Sequence, residues 1–298
     1  MNDIKWQQFL TEAVNIKGKS YIGKKPEEVL DMLDNLGDKI WIFFDTETTG
    51  LKAKNEQLLE IAAIAVDPND WLTKAEIMDT FHVKIKLTDD LKARLSDLDS
   101  SQRKEWERRN SKSNKPLKQP QDVLAMTKYG EPGLQTVEQQ MALNQFKEFI
   151  SGFKDAVLVA QNATFDMSFI NTLSEQPLPK LKVIDTLQLL NHQVNPVLKT
   201  LASGEFEPFN EKVQKRARDI LSVLKGSSSL GKVSTAYGIS AENWHSALAD
   251  TKMLMDVYKK IVDTLRYASQ LQNIDVRPAQ QKQVKKSIDL EKFFSRKK

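Results

Sequence analysis

The chain has 298 residues, a net charge of +4, 40% hydrophobic residues and no cysteine. That length and apolar content suffice for a sizeable core, and the lack of thiols excludes disulfides, zinc–thiolate centres and cysteine nucleophiles. No apolar stretch approaches the roughly 18 residues a bilayer crossing needs, and the N-terminus has no basic-then-apolar leader, so a soluble, cytoplasmic protein without membrane contact is expected.

Residues 1–38 carry apolar positions at helical spacing (Phe9 and Val14, then Val29, Leu30, Met32 and Leu33), which predicts two short helices ahead of the main fold. The fold proper begins at Lys39 and runs to about residue 272. Ile40 to Phe44 reads as a central strand, and Leu58 to Val66 and Met78 to Lys86 supply two more, making a meander. From Leu87 to Gly133 the sequence turns charged and amphipathic, including Gln102 to Arg109, and is taken as a first insertion with helical content.

Thr136 to Phe153 returns to helical periodicity and feeds the apolar strand Ala156 to Ala160. Phe165 to Leu173 reads as helix, Lys182 to Ile184 as a short strand, and Asp185 to Leu190 as the start of another helix. A second insertion follows over about 191–226, ending in an amphipathic, Lys- and Arg-rich helix from Glu211 to Leu224 that could reach substrate. Ser229 to Tyr237 and the long, periodic Ala247 to Leu271 complete the body as helices. The tail, 273–298, is polar and basic and reads as a flexible tether; Val276 to Lys298 alone holds +6, which against +4 overall leaves −2 elsewhere.

The chemistry sits in a few acids and one histidine. Asp45 and Glu47 stand two apart at the end of the first strand and so share a face. Asp166 opens a helix just after a strand, and Asp250 lies early in the long helix that packs back across the sheet. Carboxylates that converge in this way repel one another unless they hold cations. Oxygen ligands favour two Mg²⁺, or Mn²⁺, over zinc, and such a pair hydrolyses phosphodiesters. His245, five residues before Asp250, is the candidate general base, since an imidazole titrates near neutral pH.

These segments, Asp-Thr-Glu-Thr at 45–48, Asn-Ala-Thr-Phe-Asp at 162–166 and His-Ser-Ala-Leu-Ala-Asp at 245–250, resemble the three motifs of the DnaQ-like, or DEDD, family of 3′–5′ exonucleases. The resemblance covers roughly residues 39–270 outside the two insertions. It implies that Asp45, Glu47, Asp166 and Asp250 are metal ligands and that His245 marks the histidine subclass; the tyrosine subclass would need Tyr where this chain has Ser246. It implies an α/β, ribonuclease-H-like fold: a mixed five-stranded sheet, second strand antiparallel, flanked by helices. It further implies that Thr48, Gly50 and Leu51 line the pocket for the terminal nucleotide, with Asn162 and Phe165 close by.

Other features read as structural. His82 and His192 lack ligand spacing, Glu60 reads as a polar edge residue, and Asp185 as a bystander. Gly226 to Lys232 imitates a phosphate-binding loop, but Val233 stands where a hydroxyl is required and no strand precedes it. Leu290, Phe293 and Phe294 close the tail in a pattern similar to a sliding-clamp-binding peptide, with Ser287 where glutamine is usual; the aromatic pair either docks on a clamp or folds back on the domain. The leading expectation is a 3′–5′ exonuclease that acts on nucleic acid with a free 3′ end, DNA favoured, and releases nucleoside monophosphates. The rivals are an exoribonuclease of the same family and a non-catalytic module that binds 3′ ends.

Overall fold

The computed structural model describes residues 24–89, 135–203, 211–240 and 245–272. The helix expected near Phe9 and Val14, nearly all of the first insertion, and the tail with Leu290, Phe293 and Phe294 lie outside these residues. The first described helix, α1 (Pro26–Asp34), starts with proline, carries Glu27 and Glu28 in its first turn, and buries Val29, Leu30 and Leu33.

The meander follows as β1 (Trp41–Thr48), β2 (Leu58–Val66) and β3 (Asp79–Lys84). Between β2 and β3 the structure adds a helix beyond the expected meander, α2 (Pro68–Lys74). Its local signal is Asp67-Pro68: the Asp67 carboxylate accepts from the amides of Asn69 and Asp70, and Ala75 stops the helix in a left-handed conformation. The chain continues through α3 (Gln139–Ser151), β4 (Val157–Ala160), α4 (Ala163–Leu173) and β5 (Lys182–Asp185). After the single turn α5 (Thr186–Leu189) comes a π-helical turn, Leu190–Val194, then α6 (Asn195–Ser203), α7 (Glu211–Leu224), α8 (Leu230–Tyr237) and α9 (Ala247–Gln272).

The sheet order is β3-β2-β1-β4-β5, with β2 antiparallel to both neighbours and β1, β4 and β5 parallel, the mixed five-stranded arrangement expected. Strand alternation divides the core into two layers. Ile42 and Phe44 of β1 face Phe146 and Ile150 of α3 and Phe169 and Ile170 of α4. Trp41 and Phe43 face the opposite layer, where Tyr258 of α9 meets Trp41 edge-on at 5.3 Å between ring centroids.

The second insertion is no appendage. Leu198 and Leu201 of α6 and Val213, Ala217 and Ile220 of α7 are buried in the same layer as Tyr258, so these helices complete the core on the α9 side. No helix of the described residues is long and apolar enough to cross a membrane.

Candidate active site

The alternation that sends Trp41 and Phe43 toward α9 sends Asp45 and Glu47 the same way, at the strand's C-terminal end. The β1–β2 register shifts between Glu47 and Thr48, a bulge beside the acids. From the facing helix, Asp250 projects in the first turn of α9. Ligand atoms of Glu47, His245 and Asp250 lie within 4.8 Å of one another, a group that could hold a cation.

Asp45 shares this environment. Burial holds its carboxyl well above the usual range, and the charges of Asp166, Glu47, Asp250 and Glu60 push it further. Asp166 arrives from the other face of the sheet, on α4. It is held by Thr46, whose amide and hydroxyl both donate to Asp166 Oδ1, at 3.1 and 2.7 Å. Burial still pushes Asp166 up to about 7, the Thr46 bonds pulling the other way and Asp185 adding repulsion. A crowded, buried, oxygen-rich set whose members resist ionising together is what a hard divalent cation relieves, so the residues present suit Mg²⁺ or Mn²⁺.

His245 adopts φ +73°, a conformation costly for a residue with a Cβ, directly before the start of α9. Ser246 begins that helix, its carbonyl accepting from the amide of Asp250 at 2.9 Å. Its hydroxyl donates to Glu60 Oε1 on β2 at 3.2 Å. The same oxygen pairs with His82 Nε2 at 2.5 Å, and Lys84 approaches the other oxygen at 3.7 Å.

Glu60 is thus not an edge residue. It is 1% exposed, on an interior strand, directly across from Glu47. Sequence reasoning missed its role, although the signal was present: it is the lone charge in Leu-Leu-Glu-Ile-Ala-Ala-Ile-Ala-Val, and a buried carboxylate must find partners. His82 serves as one of them, the structural part expected of it. His192 Nε2 meets Gln188 Oε1 at 3.1 Å within its own helical turns.

The residues expected around a terminal nucleotide lie in two places, the turn after β1 and the start of α4. Thr48 Oγ1 donates to the Gly50 carbonyl at 2.7 Å, closing the turn after β1. A Cβ at Gly50 would come within 2.7 Å of the Glu56 side chain, whose carboxylate accepts from Thr49 Oγ1. Leu51 is 84% exposed, a large apolar side chain presented to solvent beside the acids. Asn162 takes a left-handed conformation that opens α4, its amide donating to Asp185 Oδ1 at 3.0 Å, and Phe165 packs on Phe169 at 5.1 Å. Asp185 also caps α5 through the Leu187 amide, so it is a structural acceptor rather than a bystander. The loop that imitates a phosphate-binding motif follows α7, not a strand.

With this geometry in hand, residues 42–128 match the exonuclease family profile (RNase T), a segment that holds Asp45 and Glu47. Over that segment the chain is similar to the exonuclease family. Similar proteins include the PolC-type DNA polymerase III of Halalkalibacterium halodurans, 31% identical over 174 residues, covering 54% of this chain and 10% of the relative. The PolC-type DNA polymerase III of Staphylococcus aureus is 24% identical over 249 residues, covering 82% of this chain and 12% of the relative. The chain therefore spans about a tenth of the length of these curated relatives. Among solved structures, E. coli Exonuclease I in complex with a dT13 oligonucleotide aligns with a TM-score of 0.45 at 16% identity, over 74% of this chain and 40% of that one.

Proposed function

We propose that this chain is a metal-dependent 3′–5′ exonuclease that removes nucleoside monophosphates from DNA. The observation that carries the reading is the convergence of Glu47, His245 and Asp250, with Asp45 and Asp166 in the same repulsive field. Asp45, Glu47, Asp166 and Asp250 would hold two Mg²⁺ or Mn²⁺ ions. Such ions polarise a phosphodiester and stabilise charge on its attacking and leaving oxygens.

The side chains do the rest. His245, against Glu47 and Asp250, takes the proton of the attacking water through an imidazole nitrogen. Thr46 fixes Asp166 Oδ1 in one orientation. The exposed Leu51 would offer an apolar face to the terminal base, with Thr48 and Gly50 shaping the turn that presents it and Asn162 and Phe165, at the start of α4, contributing to the same pocket. The DNA preference draws support from the PolC-type DNA polymerase relatives. A cytoplasmic setting in replication or repair, with clamp docking through Leu290, Phe293 and Phe294, completes the proposal.

The deciding experiment is digestion of matched 5′-labelled DNA and RNA oligonucleotides, single-stranded and duplex, with Mg²⁺ and with excess chelator. A ladder shortening from the 3′ end on DNA, absent in chelator and in Asp45→Asn, is expected. A ladder on RNA alone would move the activity to an exoribonuclease. Turnover that survives excess chelator would overturn the metal-dependent reading altogether, and binding without turnover would leave a 3′-end-binding module.

A further inference from the structure

Away from the carboxylates, α6 and α7 enclose an open cleft of about 420 Å³. Its floor is Leu221 and Leu224, and its rim is Lys199 from α6, Arg218 from α7 and Lys225 just after α7. Arg218, Leu221, Ser222 and Lys225 stand at i, i+3, i+4 and i+7, so helical geometry puts them on one face. Lys199, Arg218 and Lys225 are exposed, and among the described residues no acidic side chain lines the cleft. The helices and Lys225 carry Lys199, Lys212, Lys215, Arg216, Arg218 and Lys225 against only Glu211 and Asp219, a local excess in a body that is otherwise not basic.

The cleft is fastened to the catalytic edge. Lys225 opens the loop to α8, and within that loop the Ser228 carbonyl accepts from Gln161 Nε2 at 2.7 Å. Gln161 directly follows β4, which runs parallel to β1, so its end lies on the same sheet edge as Asp45 and Glu47. Thr186 Oγ1 meets both Gln161 Oε1 and the Ala160 carbonyl, which fixes that corner. A site dense in carboxylates repels a polyanion, and a neighbouring row of cations over an apolar floor suits repeating phosphates with sugars between them.

We propose that the α6–α7 cleft is an accessory groove for the phosphodiester backbone of a single nucleic-acid strand whose 3′ end occupies the carboxylate site. This rests on the exonuclease reading for the direction of the strand. It gives the second insertion a role in holding substrate beyond the terminal nucleotide.

The test is the full chain with Lys199→Glu, Arg218→Glu and Lys225→Glu combined, and a parallel triple change to Gln. Binding of a fluorescein-labelled 20-nucleotide oligothymidine is followed by anisotropy in excess chelator across a salt series, so that no turnover is needed. The charge-reversed protein should lose roughly tenfold or more in affinity, and the Gln triple should lower the salt slope by about 2, from about 0.7 per phosphate contact on single strands. Hydrolysis of the p-nitrophenyl ester of thymidine 5′-monophosphate, too short to reach the cleft, should be unchanged in both. Unaltered affinity and salt slope in both variants overturns the groove, as does displacement of the oligonucleotide by polyglutamate at equal charge concentration, which would mark an acidic-protein site. Binding that depends on these cations in a wild type that removes no nucleotide supports the groove and counts against the exonuclease reading alone.

Discussion

Burial pushes the Asp166 carboxyl up to about 7, above the ordinary 3.8, and Asp45 is raised by burial and by four neighbouring carboxylates. A carboxyl whose folded pKa exceeds its unfolded one binds more protons in the folded state, so its contribution to stability is greatest below about pH 4 and falls as pH climbs to about 7. In chelator the melting temperature should therefore drop between pH 5 and pH 8 (roughly the window set by this shift), and Mg²⁺ or Mn²⁺ should raise it more at the higher pH; equal metal-induced shifts at both would contradict the electrostatic account. His245→Ala should lower turnover by about 10²–10⁴, the usual range for a general base, with the deficit shrinking as pH rises; wild-type rates in a stopped assay from acid to alkaline pH would remove His245 from the role. Ser246→Ala cuts the tie from the start of α9 to Glu60. Because it frees the segment carrying His245 without touching Thr48, Gly50 or Leu51, kcat should fall by about 3- to 30-fold, on the order of one hydrogen bond to a charged group, with KM unchanged and Ser246→Thr restoring it. A drop in KM-limited binding alone would argue against that positioning effect.

Among the elements, α6 and α7 show how an apparent insertion becomes load on the core. Ile220 is fully buried against the layer built around Tyr258. Ile220→Ala should cost about 2–5 kcal/mol of global stability, measured by urea unfolding, whereas a detachable appendage would lose little. The long helix α9 has the complementary task. Thr251 Oγ1, bonded back to Ala247 O at 2.7 Å, also lies 3.5 Å from the Ala62 carbonyl of β2, and the alanines of β2 leave room for that close approach. This seating brings Asp250 over Asp45 and Glu47.

At the scale of the whole molecule, the proposed catalytic and recruitment roles fall in separate parts of the chain. The tail is expected to tether the nuclease to a ring-shaped clamp through Leu290, Phe293 and Phe294. A roughly 12–20-residue linker would raise the local concentration at the DNA end into the millimolar range. Phe293→Ala with Phe294→Ala preserves charge, so oligonucleotide turnover should persist while clamp pull-down is lost; retained pull-down would defeat the clamp reading.

The motif acids, the five strands and the long helix were legible without coordinates, because apolar runs and strand alternation are local properties written residue by residue. Spacing put Asp45 and Glu47 on one face and Asp250 in the first turn of α9, and the structure agrees on both points. Contacts between distant segments were not legible. Thr46 holding Asp166 across 120 residues, and Ser246 reaching Glu60 across 186, are pairings that only the folded sheet creates. Glu60 was misread for the same reason: whether a strand lies at an edge or in the interior depends on sheet order, which no single strand's sequence contains. The second insertion was likewise seen as helical but not as core, since an amphipathic pattern states that a helix has an apolar face and leaves the tertiary structure to decide what that face meets.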